Sequence, residues 1–523
     1  MTNDDVNCIE VGIEVPITMI QAKEEVWKKY EVYDLPVDET QNDKASQIKL
    51  HSFKRPHMRA FHFAWWSYHV AFLMWFSISP LLSEVQKSLG ISLEDIWSSS
   101  ISAVSGTIVM RFLLGPFCDK YGPRIPMGII LLISAIPTAL TGLVTTTNGL
   151  IVLRFFIGIG GSTFVMCQYW TSTMFTKEWV GTANATVGGW GNLGGGIAQL
   201  FMGSFLFPVF KNIYDGDSNK AWRTVCVFPA LLGLITAYCV IKFTDDSPKG
   251  NFSKLKKKNQ MKDTNIGKSF SDAILDFNTW LLFAQYACCF GVEITMNNAA
   301  ALYFKDEFLL STETAAAIAS IFGWMNLFAR GLGGFLSDKA NAKWGMRGRL
   351  AWQSFVLLME GAMVITFANS TSLASSISVL VFFSIFVQAA EGSTYGIVPY
   401  VNPPITGSIS GIIGAGGNVG AVAFSFCFRQ LDAKDAFVIM GSIIMFTSIL
   451  SIFIFIPGQP GLMFKKQMQV EPTIPKLSSL SDPKTMGDNE STNSQEHTFN
   501  SSLNVSYSSE DTSEKNKNLN DAV

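Results

Sequence analysis

The chain has 523 residues, of which 48% are hydrophobic and only 15% charged, and its mean hydropathy is +0.27. A formal net charge of −2 excludes a basic nucleic-acid-binding protein. The eight cysteines lie mostly in apolar runs, and neither they nor the five scattered histidines have metal-ligand spacing. With no nucleophile elbow or nucleotide loop either, no metal, no cofactor and no enzyme are expected.

Apolar runs of about 20 residues, the length that crosses a hydrocarbon core, recur along the chain. They predict an all-α membrane protein with twelve transmembrane helices in two six-helix halves. Residues 1–58 form a polar N-terminal segment without an apolar signal region. The first half, 59–243, carries spans near 60–82, 96–117, 125–145, 150–173, 181–207 and 223–243. The second half, 276–457, carries spans near 276–303, 315–336, 351–368, 376–400, 407–430 and 436–457. Between them, the lysine-rich segment 244–275 reads as an anchor and flexible tether. The tail, 458–523, is rich in Ser, Asn, Thr, Asp and Lys, a composition that does not bury a core. Lys120, Arg124, Lys177, Lys339, Lys343, Arg347 and Arg349 cluster on one side with the central lysines. This bias puts both termini and the central loop in the cytoplasm, with the lipid bilayer as the first partner. The acceptor patterns at Asn500 and Asn504 then face away from the glycosylating side.

One stretch organises the rest: Gly188-Gly-Trp-Gly191-Asn192-Leu-Gly-Gly-Gly196 has six glycines in nine residues, flanked by apolar sequence. On a helix, Gly188, Asn192, Gly195, Gly196 and Gln199 share one face, a smooth strip that admits a close helix or a small ligand. Gly414-Ala-Gly-Gly417-Asn418-Val-Gly420 repeats the pattern. A second pair also repeats: Arg111-Phe-Leu-Leu-Gly115-Pro-Phe-Cys-Asp119-Lys and Arg330-Gly-Leu-Gly-Gly334-Phe-Leu-Ser-Asp338-Lys share Arg, Gly, Asp and Lys. Two related halves that build one site at their interface are the expected arrangement. Arg111 precedes Asp119 by eight residues, about 12 Å of helix, which sets it near mid-membrane. Arg330 matches it in depth. No carboxylate occurs within either arginine's own span, so both are expected to be unpaired and to bind a small monoanion, with Asn192 and Asn418 adding amides.

Gly115-Pro-Phe-Cys-Asp119-Lys-Tyr-Gly122-Pro-Arg124 resembles the loop motif of the major facilitator superfamily. The duplicated glycine–asparagine segments, with Gln168-Tyr-Trp-Thr-Ser-Thr-Met-Phe175 and Tyr395-Gly-Ile-Val-Pro-Tyr400, resemble the nitrate/nitrite porter family and its eukaryotic high-affinity nitrate transporters. The resemblance covers about 53–457. It implies the major facilitator fold, with Arg111 and Arg330 clamping nitrate between the halves beside Asn192, Asn418, Gly191 and Gly417. Tyr286 and Phe290 match aromatic pocket residues of the family, and a first-span aromatic is expected at Trp75 or Phe76. Gly115, Asp119, Gly122 and Arg124 are the expected gating loop. Its second copy keeps Gly334 and Asp338 but not an aligned Gly-x-Arg.

The resemblance implies uptake of nitrate and nitrite across the plasma membrane by alternating access, some members working with an accessory membrane subunit. Moving a monoanion into a negative interior costs about 2.3 kcal/mol per 100 mV, so uptake needs a coupled ion. Symport with protons is expected, with Glu391 favoured over Glu293 as the coupling carboxyl. Nitrate/nitrite exchange and a non-transporting nitrate sensor are the alternatives.

Overall fold

The computed structural model describes residues 33–260 and 265–463. The expectations for Cys8, Asn500 and Asn504 lie outside the described residues. Among the described residues, twelve helical rods follow one another: α1 (His57–Phe76), α2 (Leu93–Tyr121), α3 (Arg124–Leu143), α4 (Thr147–Met174), α5 (Val180–Ile213), α6 (Ser218–Phe243), α7 (Phe277–Glu307), α8 (Thr312–Trp344), α9 (Met346–Ala368), α10 (Leu373–Val401), α11 (Pro403–Gln430) and α12 (Ala433–Phe453). Ten of these are long and apolar enough to cross a membrane. The other two, α1 and α7, bury polar side chains along their length, including His62 and His69 on α1 and Gln285, Glu293, Asn297 and Asn298 on α7.

Local chemistry sets the ends. Ser92 caps α2 in a reciprocal box with Asp95, Asp276 accepts from Asn278 and Thr279 at the start of α7, and Ser372 caps α10. Gly122 and Gly345, at φ +82° and +63°, turn the chain after α2 and α8, a backbone region where other residues are strained.

Burial sorts the rods into two layers. α3 packs on α6 and α9 on α12 at the periphery. Their outward faces are apolar: Ile129, Ile133 and Ile136 on α3, Leu231, Ile235 and Tyr238 on α6, and Ile443 and Phe446 on α12 are all exposed. Such a belt suits hydrocarbon rather than water. The seam between the halves is made where α2 packs on α11, and where α5 packs on α8 and α10.

Two segments depart from the expected loose polar connections. Residues 37–45 form a small hairpin, β1 (Val37–Asp38) pairing antiparallel with β2 (Lys44–Ala45). Ala45 is fully buried against the end of α4, where its carbonyl accepts from Thr176 N at 3.0 Å. The central segment folds into two short helices, Phe252–Lys257 and Ile266–Leu275, and Ser269 on the second reaches Asp119. Apolar residues spaced along that second helix, Phe270, Ala273 and Ile274, pack against the body, which a mere tether would not do.

Candidate functional site: a buried charged seam

Arg111 on α2 has no accessible surface. Its Nη2 and Nε donate to the carbonyl of Gly161 on α4 at 2.8 and 3.2 Å, and Nη1 donates to the carbonyl of Gly414 on α11 at 2.6 Å. The guanidinium stands over the rings of Phe164 and Phe290 at 4.8 and 4.7 Å. Among the described residues it makes no ion pair. Gly161 lies in a 3-10 stretch, Ile159–Ser162, that interrupts α4. Such tightened turns inside a helix often mark functional hinges.

Arg330 on α8 is equally buried but differently partnered, which corrects the expectation of two unpaired cations. Its Nη1 donates to Glu391 Oε2 of α10 in a fully buried ion pair, and Nη2 donates to the Tyr286 hydroxyl at 3.2 Å. The carboxylate comes from another helix, so inspection of Arg330's own span does not reveal it. Asn192 then joins two carboxyl groups: its Nδ2 donates to Glu293 Oε2 at 2.6 Å and to Glu391 Oε2 at 3.1 Å. Asn326 donates to Glu293 Oε1 at 2.7 Å. Asn418 donates only within α11, to Gly414 O at 3.2 Å. Arg330 Nε, the Tyr68 hydroxyl and the Oδ1 atoms of Asn192 and Asn418 are buried without a partner among the described residues.

Aromatic rings fill the space around the two guanidiniums. Tyr286 and Phe290 stack at 5.2 Å, one turn apart on α7. Phe164 lies 5.9 and 5.8 Å from them and stands under Arg330 as well, at 5.4 Å. Tyr395 meets Phe164 edge-on at 4.9 Å. From α1 the rings that face this cluster are Tyr68, 5.4 Å from Phe164, and Phe72, 6.2 Å from Phe290. Trp75 and Phe76, the expected first-span candidates, stack on each other at 4.9 Å, and Trp75 backs Gly161. The signature glycines hold no open groove. A Cβ on Gly191 would fall 1.9 Å from the Tyr68 ring, and one on Gly417 would fall 2.5 Å from Phe290.

The loop-motif residues latch the end of the bundle that carries them. Asp119 Oδ2 accepts from Ser408 of α11 at 3.0 Å and from Ser269 at 3.1 Å. A Cβ on Gly115 would meet Gly407 O at 2.7 Å, so α2 and α11 touch backbone to backbone. Gly122 lets the chain turn over Asp246, whose carboxylate accepts from Arg124 N at 3.1 Å. Burial pushes that carboxyl up from its ordinary value, against the pull of Arg124. Arg124 also donates to Ile241 O at 2.6 Å.

The second copy is displaced rather than lost. Asp338 accepts from Thr182 N and Oγ1 of α5 at 2.9 and 2.7 Å, and from Arg349 at 2.7 Å. Gly345-Met-Arg347 supplies the Gly-x-Arg, four residues further from its aspartate than Gly122-Pro-Arg124, which is about one helical turn. Arg347 donates to Gly461 O beyond α12, as Arg124 does to the end of α6.

Several buried residues were missed in the sequence. Glu360 and Arg154 lie inside the expected spans 351–368 and 150–173, so a charge inside an apolar run was the available signal. Neither oxygen of Glu360 has a partner among the described residues. Phe164, Tyr68 and Asn326 carry no such signal, because similar residues occur throughout the spans.

Comparison with known proteins agrees with this architecture. The Major Facilitator Superfamily model matches residues 64–425. A bacterial homologue of the human lysosomal transporter Spinster, solved inward-facing and unoccupied, superposes with a TM-score of 0.53 at 15% identity, over 76% of this chain and 95% of that one. That likeness shows a shared fold. The chain is 36% identical over 434 residues to high affinity nitrate transporter 2.5 of Arabidopsis thaliana, covering 82% of this chain and 86% of the relative. It is 37% identical over 438 residues to high-affinity nitrate transporter 2.3 of Oryza sativa subsp. japonica, covering 82% and 84%. The chain belongs to the major facilitator superfamily and, within it, to the nitrate/nitrite porter family of high-affinity nitrate transporters.

Proposed function

We propose that this protein takes up nitrate, and nitrite as a second substrate, across the plasma membrane by alternating access in symport with protons. Both termini and the loop-motif end lie in the cytoplasm. The observation that carries the reading is Arg111, a fully buried cation at the seam that makes no ion pair among the described residues and draws its acceptors from both halves. A buried charge of this kind is costly unless it serves a ligand or pathway. Planar oxyanions suit it because the guanidinium fork donates two parallel hydrogen bonds. Arg330, Asn192, Asn418, Tyr286, Phe290, Gly191 and Gly417 complete the site.

Charge explains how proton and anion would be coupled. Arg111 and Arg330 are balanced when Glu293 and Glu391 are both ionised. One proton on the glutamate pair leaves the centre at +1, the complement of one monoanion. Two carboxyl groups served by the single amide of Asn192 favour such sharing, since like charges in contact resist joint ionisation. Glu391 meets Arg330 while Glu293 is held by the amides of Asn192 and Asn326, so the two carboxyls together are the coupling candidates. Glu360, buried and unpartnered among the described residues, offers a place for a second proton, which uptake against a negative interior needs.

Reconstitution in liposomes tests the substrate. Labelled nitrate should enter when an inward proton gradient is imposed, and unlabelled nitrite should compete. Absence of nitrate flux while another solute moves would refute the assignment.

A further inference from the structure

Among the described residues four arginines are fully buried: Arg111, Arg154, Arg330 and Arg349. Two have carboxylates, Glu391 for Arg330 and Asp338 for Arg349. Arg154 on α4, like Arg111, makes no ion pair among the described residues. Its acceptors are neutral side chains: Ser99 Oγ and Ser100 Oγ of α2 at 2.9 and 3.0 Å, and Asn298 Oδ1 of α7 at 3.1 Å. Both serine hydroxyls spend their protons on Ile96 O, so their oxygens face the guanidinium as acceptors. Ser79 also donates to Asn298 Oδ1, at 3.2 Å, and the neighbouring Asn297 Nδ2 is buried with no partner among the described residues. Arg154 lies seven residues before Gly161, whose carbonyl holds Arg111, a rise of about 10 Å along α4. It sits on the side away from the loop motif.

We propose that Arg154 is an outer binding station for a small inorganic oxyanion, covered in this conformation by Asn298. The inference rests on the transport reading above. The amide oxygen of Asn298 belongs to the other half of the molecule, so it leaves Arg154 when the halves part at that end. The freed Nη2 then faces the seam as a charge-assisted donor, while Nη1 stays on the hydroxyls of Ser99 and Ser100. An incoming monoanion replaces Asn298 there before passing to Arg111. Closure returns the amide and drives the anion inward. Two cationic stations in series let an anion be attracted without being trapped, the condition for rapid passage.

Nitrate-evoked currents measured against external nitrate, at matched surface expression, test the station. Arg154→Gln should raise the apparent KM at least about tenfold, the loss of one charge-assisted hydrogen bond, and by more than the maximal current falls. Arg154→Lys should lie between. Asn298→Ala keeps the cation and removes its cover, so its KM should equal or fall below wild type. External ionic strength should raise the wild-type KM more than that of Arg154→Gln. An unchanged KM with reduced maximal current in Arg154→Gln, or a raised KM in Asn298→Ala, would make Arg154 a structural strut and overturn the proposal. Should Arg154→Gln not reach the surface, the Lys and Asn298→Ala results decide by the same criteria. No nitrate current in wild type would overturn the transport reading and the station with it. Loss of current in Arg111→Ala with wild-type behaviour in Arg154→Gln would overturn the station alone.

Discussion

At the scale of single residues, the two repeated arginines do different jobs. Arg111 is held by carbonyls from α4 and α11, whereas Arg330 is tied to Glu391 and Tyr286. Arg330→Ala strands a buried carboxylate, which costs about 3–5 kcal/mol. Thermal unfolding of the purified protein should show that loss, and Arg330→Met with Glu391→Gln should recover most of it without restoring nitrate transport. Recovery of transport by the neutral pair would show that no charge is needed at that position. Arg111→Lys keeps the charge but not the fork, so nitrate flux should fall well below wild type while expression holds. The carboxyl pair predicts a pH effect of defined sign. A falling external pH loads the pair and raises the charge of the centre, so inward current should grow. In Glu293→Gln the side chain is always neutral, and current should lose that slope while nitrate-driven exchange remains. A Glu293→Gln variant with the full wild-type pH slope would remove the pair from the coupling scheme.

At the scale of elements, the glycine signatures act by letting neighbours in. α1 lays Tyr68 on Gly191, and α7 lays Phe290 on Gly417. Gly191→Ala forces the ring away and should cost about 1–3 kcal/mol, the range for overpacking. Combining it with Tyr68→Leu should return thermal stability. A stable Gly191→Ala single variant would contradict the fit described. Directly after the first signature α5 widens into a π-helical stretch, Ala198–Leu206. α4 and α8 tighten into 3-10 turns at Ile159–Ser162 and Met325–Leu327, beside the carbonyl that holds Arg111 and just before Arg330. Irregular turns therefore sit beside the charged centre, where small changes in backbone can be absorbed.

At the scale of the whole molecule, the seam is latched at both ends. Asp119 and Asp338 bind the opposite half near the loop motif. Arg429 pairs with Glu94, and Lys305 lies 3.5 Å from Glu84, at the other end. The charged centre between them has no solvent-accessible surface. Alternating access then requires one set of latches to open while the other holds. Asp119→Ala or Asp338→Ala should favour opening at the loop-motif end. Cys118, fully buried beside Asp119, is a native reporter. Its maleimide labelling should rise several-fold in either variant, and unchanged labelling would argue against these aspartates as latches.

The sequence by itself determined the spans and their repetition in two halves, because crossing a bilayer imposes apolar runs of about 20 residues that recur along the chain. It also picked out Arg111, Arg330, Asn192 and the doubled glycine segments, because internal repetition marks positions that face a shared axis. What it left open depends on partners far apart in the chain. Glu391 pairs with Arg330 across 61 residues, Asn192 meets Glu293 across 101, and Arg111 meets Gly414 across 303. Periodicity within one span places a side chain on a face but does not say which helix that face meets. The displaced second loop motif was hidden for a related reason: an extra helical turn preserves direction in space while breaking alignment in sequence. Only packing decided that one guanidinium is neutralised by a carboxylate while its counterpart is held by neutral carbonyls.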